Sequence, residues 1–161
     1  MGETLELLKK PNFQNYQTQA QKYINRPVFE GTEMTGELLR KAAEEAYNKY
    51  GILVPVDLAL AQAQFESSMG RKGRSPKTNP YNVYEYDEGT QKTYETPEQG
   101  VDAYYDLMAR RYLGEKEVTD LLNNFVNDEG NRYASDPDYE DKLRKQIEFI
   151  NKFLESNNGT K

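Results

Sequence analysis

Glu66 stands near the end of the most apolar helical stretch of the chain, VDLALAQAQFESSMG, with Phe65 and Met69 beside it and Gly70 one turn further on. Burial raises the pKa of a carboxyl group because the charged form loses its hydration, and the negative end of a helix dipole pushes the same way. A carboxylic acid that keeps its proton near neutral pH is suited to general acid catalysis, for example protonation of the leaving oxygen when a glycosidic bond is cleaved. The acidic, loop-rich segment that follows could wall a cleft and offers a second carboxylate from Glu85, Asp87, Glu88 or Glu95. A glutamate near a helix end also reads as an ordinary solvated surface residue, so the elements around it must decide.

Few other chemistries are open to this chain. Its 161 residues include no Cys and no His, which excludes disulfides, thiol or Ser-His catalysis and zinc sites of the usual ligand types. A net charge of −6 argues against a general nucleic-acid binder. No apolar run approaches the roughly 20 residues that a membrane-spanning helix needs. The start MGETLELLKK lacks the basic segment and apolar core of a Sec signal. Hydrophobic residues are only 36% of the chain, yet 13 Tyr and 6 Phe supply large side chains for one core. An enzyme built from these residues must work with carboxylates, hydroxyls, amides, Tyr or Lys.

The elements that would position Glu66 follow from periodicity and punctuation. Residues 1–34 are polar, broken by Pro11 and Pro27, and too poor in apolar residues for a core of their own; they read as an arm or partly helical extension, dispensable for folding. From Thr35, Leu38, Leu39, Ala42, Ala43, Ala46, Tyr47 and Tyr50 recur at helical spacing until Gly51. A second helix is expected from Pro55 to about Met69, apolar on most sides and therefore central, with Gly70 as a left-handed cap. Residues 71–95, rich in Gly, Pro, Tyr and charge, predict short strands around YNVYEY and QKTYE. Thr96-Pro97-Glu98-Gln99 reads as a capping box opening a third helix; a shorter one carries Val118, Leu121, Leu122, Phe125 and Val126. Asp136-Pro137 opens the last helix, with Tyr139, Leu143, Ile147, Ile150 and Leu154 inward, before a flexible tail at 157–161. The fold class is mainly α, or α+β with a small irregular β lobe.

The motifs, taken in order, resemble a known family. LALAQAQFESSMG resembles the catalytic helix of bacterial glucosaminidases and of the related lysozyme-like lytic transglycosylases, an Ala/Gln-rich helix ending in Glu-Ser followed by Gly. NPYNVYEYDEG looks like the loop after that helix, YETPEQGVDAYYDLMARRYL like the helix that follows, and NRYASDPDYEDKLRKQI like the family's Tyr-Ala-x-Asp-Pro-x-Tyr segment. Each motif alone is weak, but four in the family's order over roughly residues 35–155 are specific. The resemblance implies a lysozyme-like domain over 35–156 that cleaves β-1,4 bonds of peptidoglycan glycan strands. It implies Glu66 as catalytic acid and Tyr133 as a cleft tyrosine contacting the sugar or its acetamido group, with a packing role as the plainer alternative. Asn79 and Asn82 match polar loop positions that hold substrate or simply make turns.

This chain also departs from the family. Where many glucosaminidases carry a Phe-Gly-Ile-Lys-like strand, it reads Tyr81-Asn82-Val83-Tyr84, a variant similar to phage-type transglycosylases. The second catalytic group is therefore open, with Glu85 ranked first. The chain has no Trp, so Tyr81, Tyr84, Tyr86 and Tyr94 are the aromatic surfaces left for sugar stacking. RYASDP favours a glucosaminidase over a transglycosylase or muramidase. No metal or organic cofactor is implied. The missing Sec signal and the arm at 1–34 suit a phage-encoded protein, placed in a virion or in the host cytoplasm before lysis, whose arm contacts virion or envelope proteins. A lysozyme-like domain kept as a structural component without turnover is the rival class.

Overall fold

The computed structural model describes residues 11–73, 77–83, 86–87, 90–91 and 93–159. Helix α1 spans Phe13–Ile24 and is followed by a short 3-10 turn at Pro27–Phe29. Helices α2 (Gly36–Tyr50) and α3 (Val56–Ser67) lead into a two-stranded antiparallel ribbon, β1 (Tyr86–Asp87) and β2 (Thr90–Gln91), with Tyr86 opposite Gln91. Then come α4 (Pro97–Leu107), continuing into a π-helical turn at Met108–Leu113, the short α5 (Val118–Asn123) and the long α6 (Tyr139–Gly159). The chain is mainly helical with a small β ribbon, as its residue pattern predicts.

Helix α3 is the central element. Leu58, Ala59, Leu60, Ala61, Gln62 and Ala63 are all buried, because α1 and α6 both pack against α3. A helix apolar on most sides has to be enclosed in this way. Helix α2 packs on α1 and α4. Gly100, in the first turn of α4, lies so close to the Thr78–Asn79 backbone that a Cβ there would fall inside the Thr78 carbonyl group. Only glycine lets α4 approach the loop after α3 so closely.

The segment before Thr35 differs from the arm expected there. Phe13, Tyr16, Ala20, Tyr23, Ile24, Phe29 and Met34 are all buried in the same hydrophobic cluster as α3 and α6. The Tyr16 hydroxyl donates to the Val54 carbonyl (2.7 Å) and pairs with the Tyr105 hydroxyl (2.8 Å). A spacing of three and four among these apolar residues makes one face of α1 apolar, and that face completes the core of the rest.

Helix boundaries move from their expected places at both ends of α3, at the end of α5, which stops at Asn123 before Phe125 and Val126, and at the start of α6. Helix α3 begins at Val56, with Pro55 at the cap position. It ends at Ser67, and Ser68 and Met69 already adopt positive φ (50° and 64°) ahead of Gly70 (77°). The completely buried Met69 side chain anchors this turn. Thr96 caps α4 by accepting from the Gln99 N–H (3.2 Å), but the Gln99 side chain reaches the Glu95 N–H (2.8 Å), one residue before the cap. Helix α6 starts at Tyr139, since the Asp136 carboxylate accepts from the Asp138 N–H (2.9 Å) and pairs with Lys142 (2.8 Å) in a turn of its own.

Candidate active site

The last turn of α3 delivers Glu66 to a polar corner where three segments meet. Ser67 fixes the corner: its hydroxyl donates to the Pro80 carbonyl (2.6 Å) and accepts from the Gly70 N–H (2.7 Å). The loop 79–83 is thereby pinned across the helix end. Asn79 braces that loop from inside, its amide donating to the Val83 carbonyl (3.1 Å) and accepting from the Val83 N–H (2.9 Å). Asn79 is buried and committed to this turn. Asn82 adopts a left-handed conformation, φ 53°, which Asn tolerates better than most residues. From there its amide donates to the Glu66 carbonyl (2.8 Å) and to Glu66 Oε1 (3.1 Å).

The other carboxylate oxygen is held from α6. The buried Tyr139 hydroxyl donates to Glu66 Oε2 (3.1 Å). Burial pushes the Glu66 carboxyl above the usual carboxylate range, while the Asn82 and Tyr139 hydrogen bonds pull against it. Burial likewise pushes the Tyr139 phenol well up, with the Glu66 charge adding to it. Tyr139 therefore stays a neutral donor at any working pH. A partly buried acid held by two neutral donors is oriented and remains able to keep its proton.

Tyr133 lies beside this pair without touching the carboxyl. Its hydroxyl donates to the Tyr81 carbonyl (2.7 Å), and its ring stacks on Tyr139 with centroids 6.4 Å apart. It thus ties the 79–83 loop to the segment before α6. Arg132 and Glu140 secure that segment from below. Glu140 takes both ends of the guanidinium (2.7 and 3.0 Å) and the Phe125 N–H (2.8 Å). Those contacts, the guanidinium first, hold its carboxyl down at about 2.

Tyr81 departs from its expected role. It is completely buried and stacked on Tyr104 at 3.6 Å, so it belongs to the core and offers no surface to a sugar. Tyr94 is half-buried and Glu95 exposed. Tyr84, Glu85 and Glu88 lie outside the described residues, as do the side chains of Tyr86 and Asp87. Phe65, exposed beside Glu66, sets its ring edge-on to Tyr139 at 6.1 Å.

Sequence reasoning missed Ser67, Tyr139 and Gln62 as site residues. Gln62 carried a signal: a polar side chain in an apolar helix, four residues before Glu66 and so on the same face. Tyr139 closes the Tyr-Ala-x-Asp-Pro-x-Tyr segment, but no local spacing links it to Glu66, 73 residues away.

Replacing Asn82 separates its two contributions. Asn82→Gly keeps the left-handed turn and loses the donor; Asn82→Ala loses both. Both variants are expected to turn over substrate about tenfold more slowly or worse, given the worth of a hydrogen bond to a charged group. Only Asn82→Ala should also lower the melting temperature. Wild-type turnover by Asn82→Gly would show that the amide does not position the Glu66 carboxyl.

Comparison with curated proteins gives no match. Residues 40–152, however, match the model of the glucosaminidase family, described as mannosyl-glycoprotein endo-beta-N-acetylglucosaminidase. The match runs from within α2 into α6 and so takes in the helix that bears Glu66, the loop that grips its carboxyl and Tyr139, leaving out α1, the segment after it and the first turn of α2 on the N-terminal side. The chain belongs to the glucosaminidase family and is a glycoside hydrolase acting on peptidoglycan.

Proposed function

We propose that the protein is an endo-acting N-acetylglucosaminidase of peptidoglycan in which Glu66 protonates the leaving glycosidic oxygen. The observation that supports this reading is the Glu66 carboxyl itself: raised by burial at the end of the central helix, and held by one neutral donor on each oxygen. The oxocarbenium-like centre left behind is met by water, assisted either by a second carboxylate of the 79–95 segment or by the substrate's own acetamido group. Glu85 leads the protein candidates, followed by Glu88, Asp87 and Glu95. Tyr133, Asn82, Tyr84 and Tyr94 are the residues proposed to meet the sugar. Asn79 is better placed to shape the loop than to touch substrate, since the Val83 backbone occupies its amide.

Mass analysis of digested sacculi tests the reading directly. Reducing-end GlcNAc is the expected product. Reducing-end MurNAc would make the enzyme a muramidase, and anhydro-MurNAc a transglycosylase. Single amide substitutions at Glu85, Asp87, Glu88 and Glu95 then locate the second group, since losing a base costs roughly 10²-fold or more. Four near-wild-type rates would leave acetamido assistance as the mechanism, with Tyr133→Phe the damaging change.

A further inference from the structure

Behind Glu66 lies a chain of hydrogen bonds that the acid role alone does not require. Gln62 is completely buried in the middle of α3. Its Oε1 accepts from the Tyr104 hydroxyl of α4, and its Nε2 donates to the Tyr139 hydroxyl of α6 at 3.1 Å. Tyr139 in turn donates to Glu66 Oε2. Every donor in the sequence Tyr104, Gln62, Tyr139 points the same way, toward the carboxyl.

The direction is dictated by bookkeeping of protons. Tyr104 is completely buried, and its O–H needs an acceptor. Among the described residues that acceptor is the Gln62 oxygen. The amide nitrogen must then face Tyr139, and among the described residues the acceptor of the single Tyr139 proton is Glu66. Were the amide turned over, its oxygen would compete for the Tyr139 proton and Glu66 would lose a donor. With the chain in place, both described partners of the carboxyl, Asn82 and Tyr139, are donors. A protonated Glu66 then finds no acceptor in either, and its proton is left for an incoming oxygen.

We infer that Gln62, oriented by Tyr104, is a positioning residue that fixes Tyr139 as a donor to Glu66 and so keeps the acid's own proton free for substrate. This rests on Glu66 being the catalytic acid. The titratable groups facing the carboxyl among the described residues are Tyr139 from α6 and Tyr133 from the segment before it, both held neutral by burial. Tyr104, the titratable partner of Gln62 from α4, is neutral for the same reason. No charged side chain among the described residues figures among the influences on Glu66.

The test follows the Glu66 carboxyl by carbon-13 NMR of glutamate-labelled protein, assigned by difference with Glu66→Gln, beside the pH–rate profile on purified sacculi. The hydrogen bond from Tyr139 favours the ionised carboxyl, so its loss in Tyr139→Phe should make Glu66 hold its proton about tenfold more tightly. Gln62→Leu and Tyr104→Phe should act in the same direction, each about three- to tenfold. The basic limb of the rate profile should move to higher pH together with the titration. In a Tyr139→Phe background neither further change should move it again. Should Gln62→Leu fail to fold, Tyr104→Phe, which keeps the ring stacked on Tyr81, carries the test. A titration unmoved in folded Tyr104→Phe, or moved by the same amount when residue 139 is already Phe, overturns the inference. A fully active Glu66→Gln would overturn the acid assignment instead, a result independent of the titration.

Discussion

Glu66→Gln is expected to slow cell-wall clearing by about 10²–10⁴-fold, the usual worth of a positioned general acid, while the protein remains folded. The amide has the shape of the carboxyl but no proton to give, and burial makes the native charge costly at this place. The stability effect has a definite sign. Because the folded-state pKa of Glu66 is raised, its contribution to stability is complete below the unfolded value near 4.5 and is lost as pH rises through the folded value. Wild type should therefore lose ground relative to Glu66→Gln between about pH 4 and neutrality. Melting curves of both proteins at acid and neutral pH check this, and zymography on sacculi checks the rate. A variant retaining more than about a tenth of the wild-type rate would sink the acid assignment.

A chain beginning at Thr35 is expected to lose cooperative folding altogether. Phe13, Tyr16, Tyr23, Ile24, Phe29 and Met34 are at most 8% exposed. Burying such side chains is worth roughly 1.5–3 kcal/mol each, so together they match the whole net stability of a small domain, about 5–15 kcal/mol. Their removal also uncovers polar groups. Tyr105 and the Val54 carbonyl lose Tyr16, and Gln64, in the helix that carries Glu66, loses the Tyr23 hydroxyl. Thr32 likewise gives up the Met69 carbonyl in the turn that ends α3. Near-UV circular dichroism and a thermal melt decide the matter. A sharp transition with native clearing activity from the shortened chain would show that α1 only decorates a core complete without it.

The family match begins at residue 40, so the segment that completes this core lies outside the matched region. Its signal was nevertheless in the sequence. Phe13, Tyr16, Ala20 and Tyr23 recur at helical spacing, but the stretch between them is polar enough to read as an extension. An amphipathic stripe states that one face will be covered and says nothing of what covers it. The partner is chosen by the shape of the α3–α6 surface, which exists only once the chain has folded.

What the sequence determined by itself is mostly local: the helices from Thr35 onward, the burial of LALAQA at 58–63, the capping role of Thr96 and the perturbed carboxyl at Glu66. These follow from spacing, propensity and desolvation within a turn or two of chain. Tertiary structure decided which groups hold that carboxyl. Asn82 comes from 16 residues away and Tyr139 from 73, while Tyr104 reaches Gln62 from 42. It also turned Tyr81 from a possible sugar platform into core by stacking it on Tyr104. Local patterns specify which faces are buried, whereas a directed chain of hydrogen bonds needs distances of about 3 Å between atoms on separate helices, and only packing sets those.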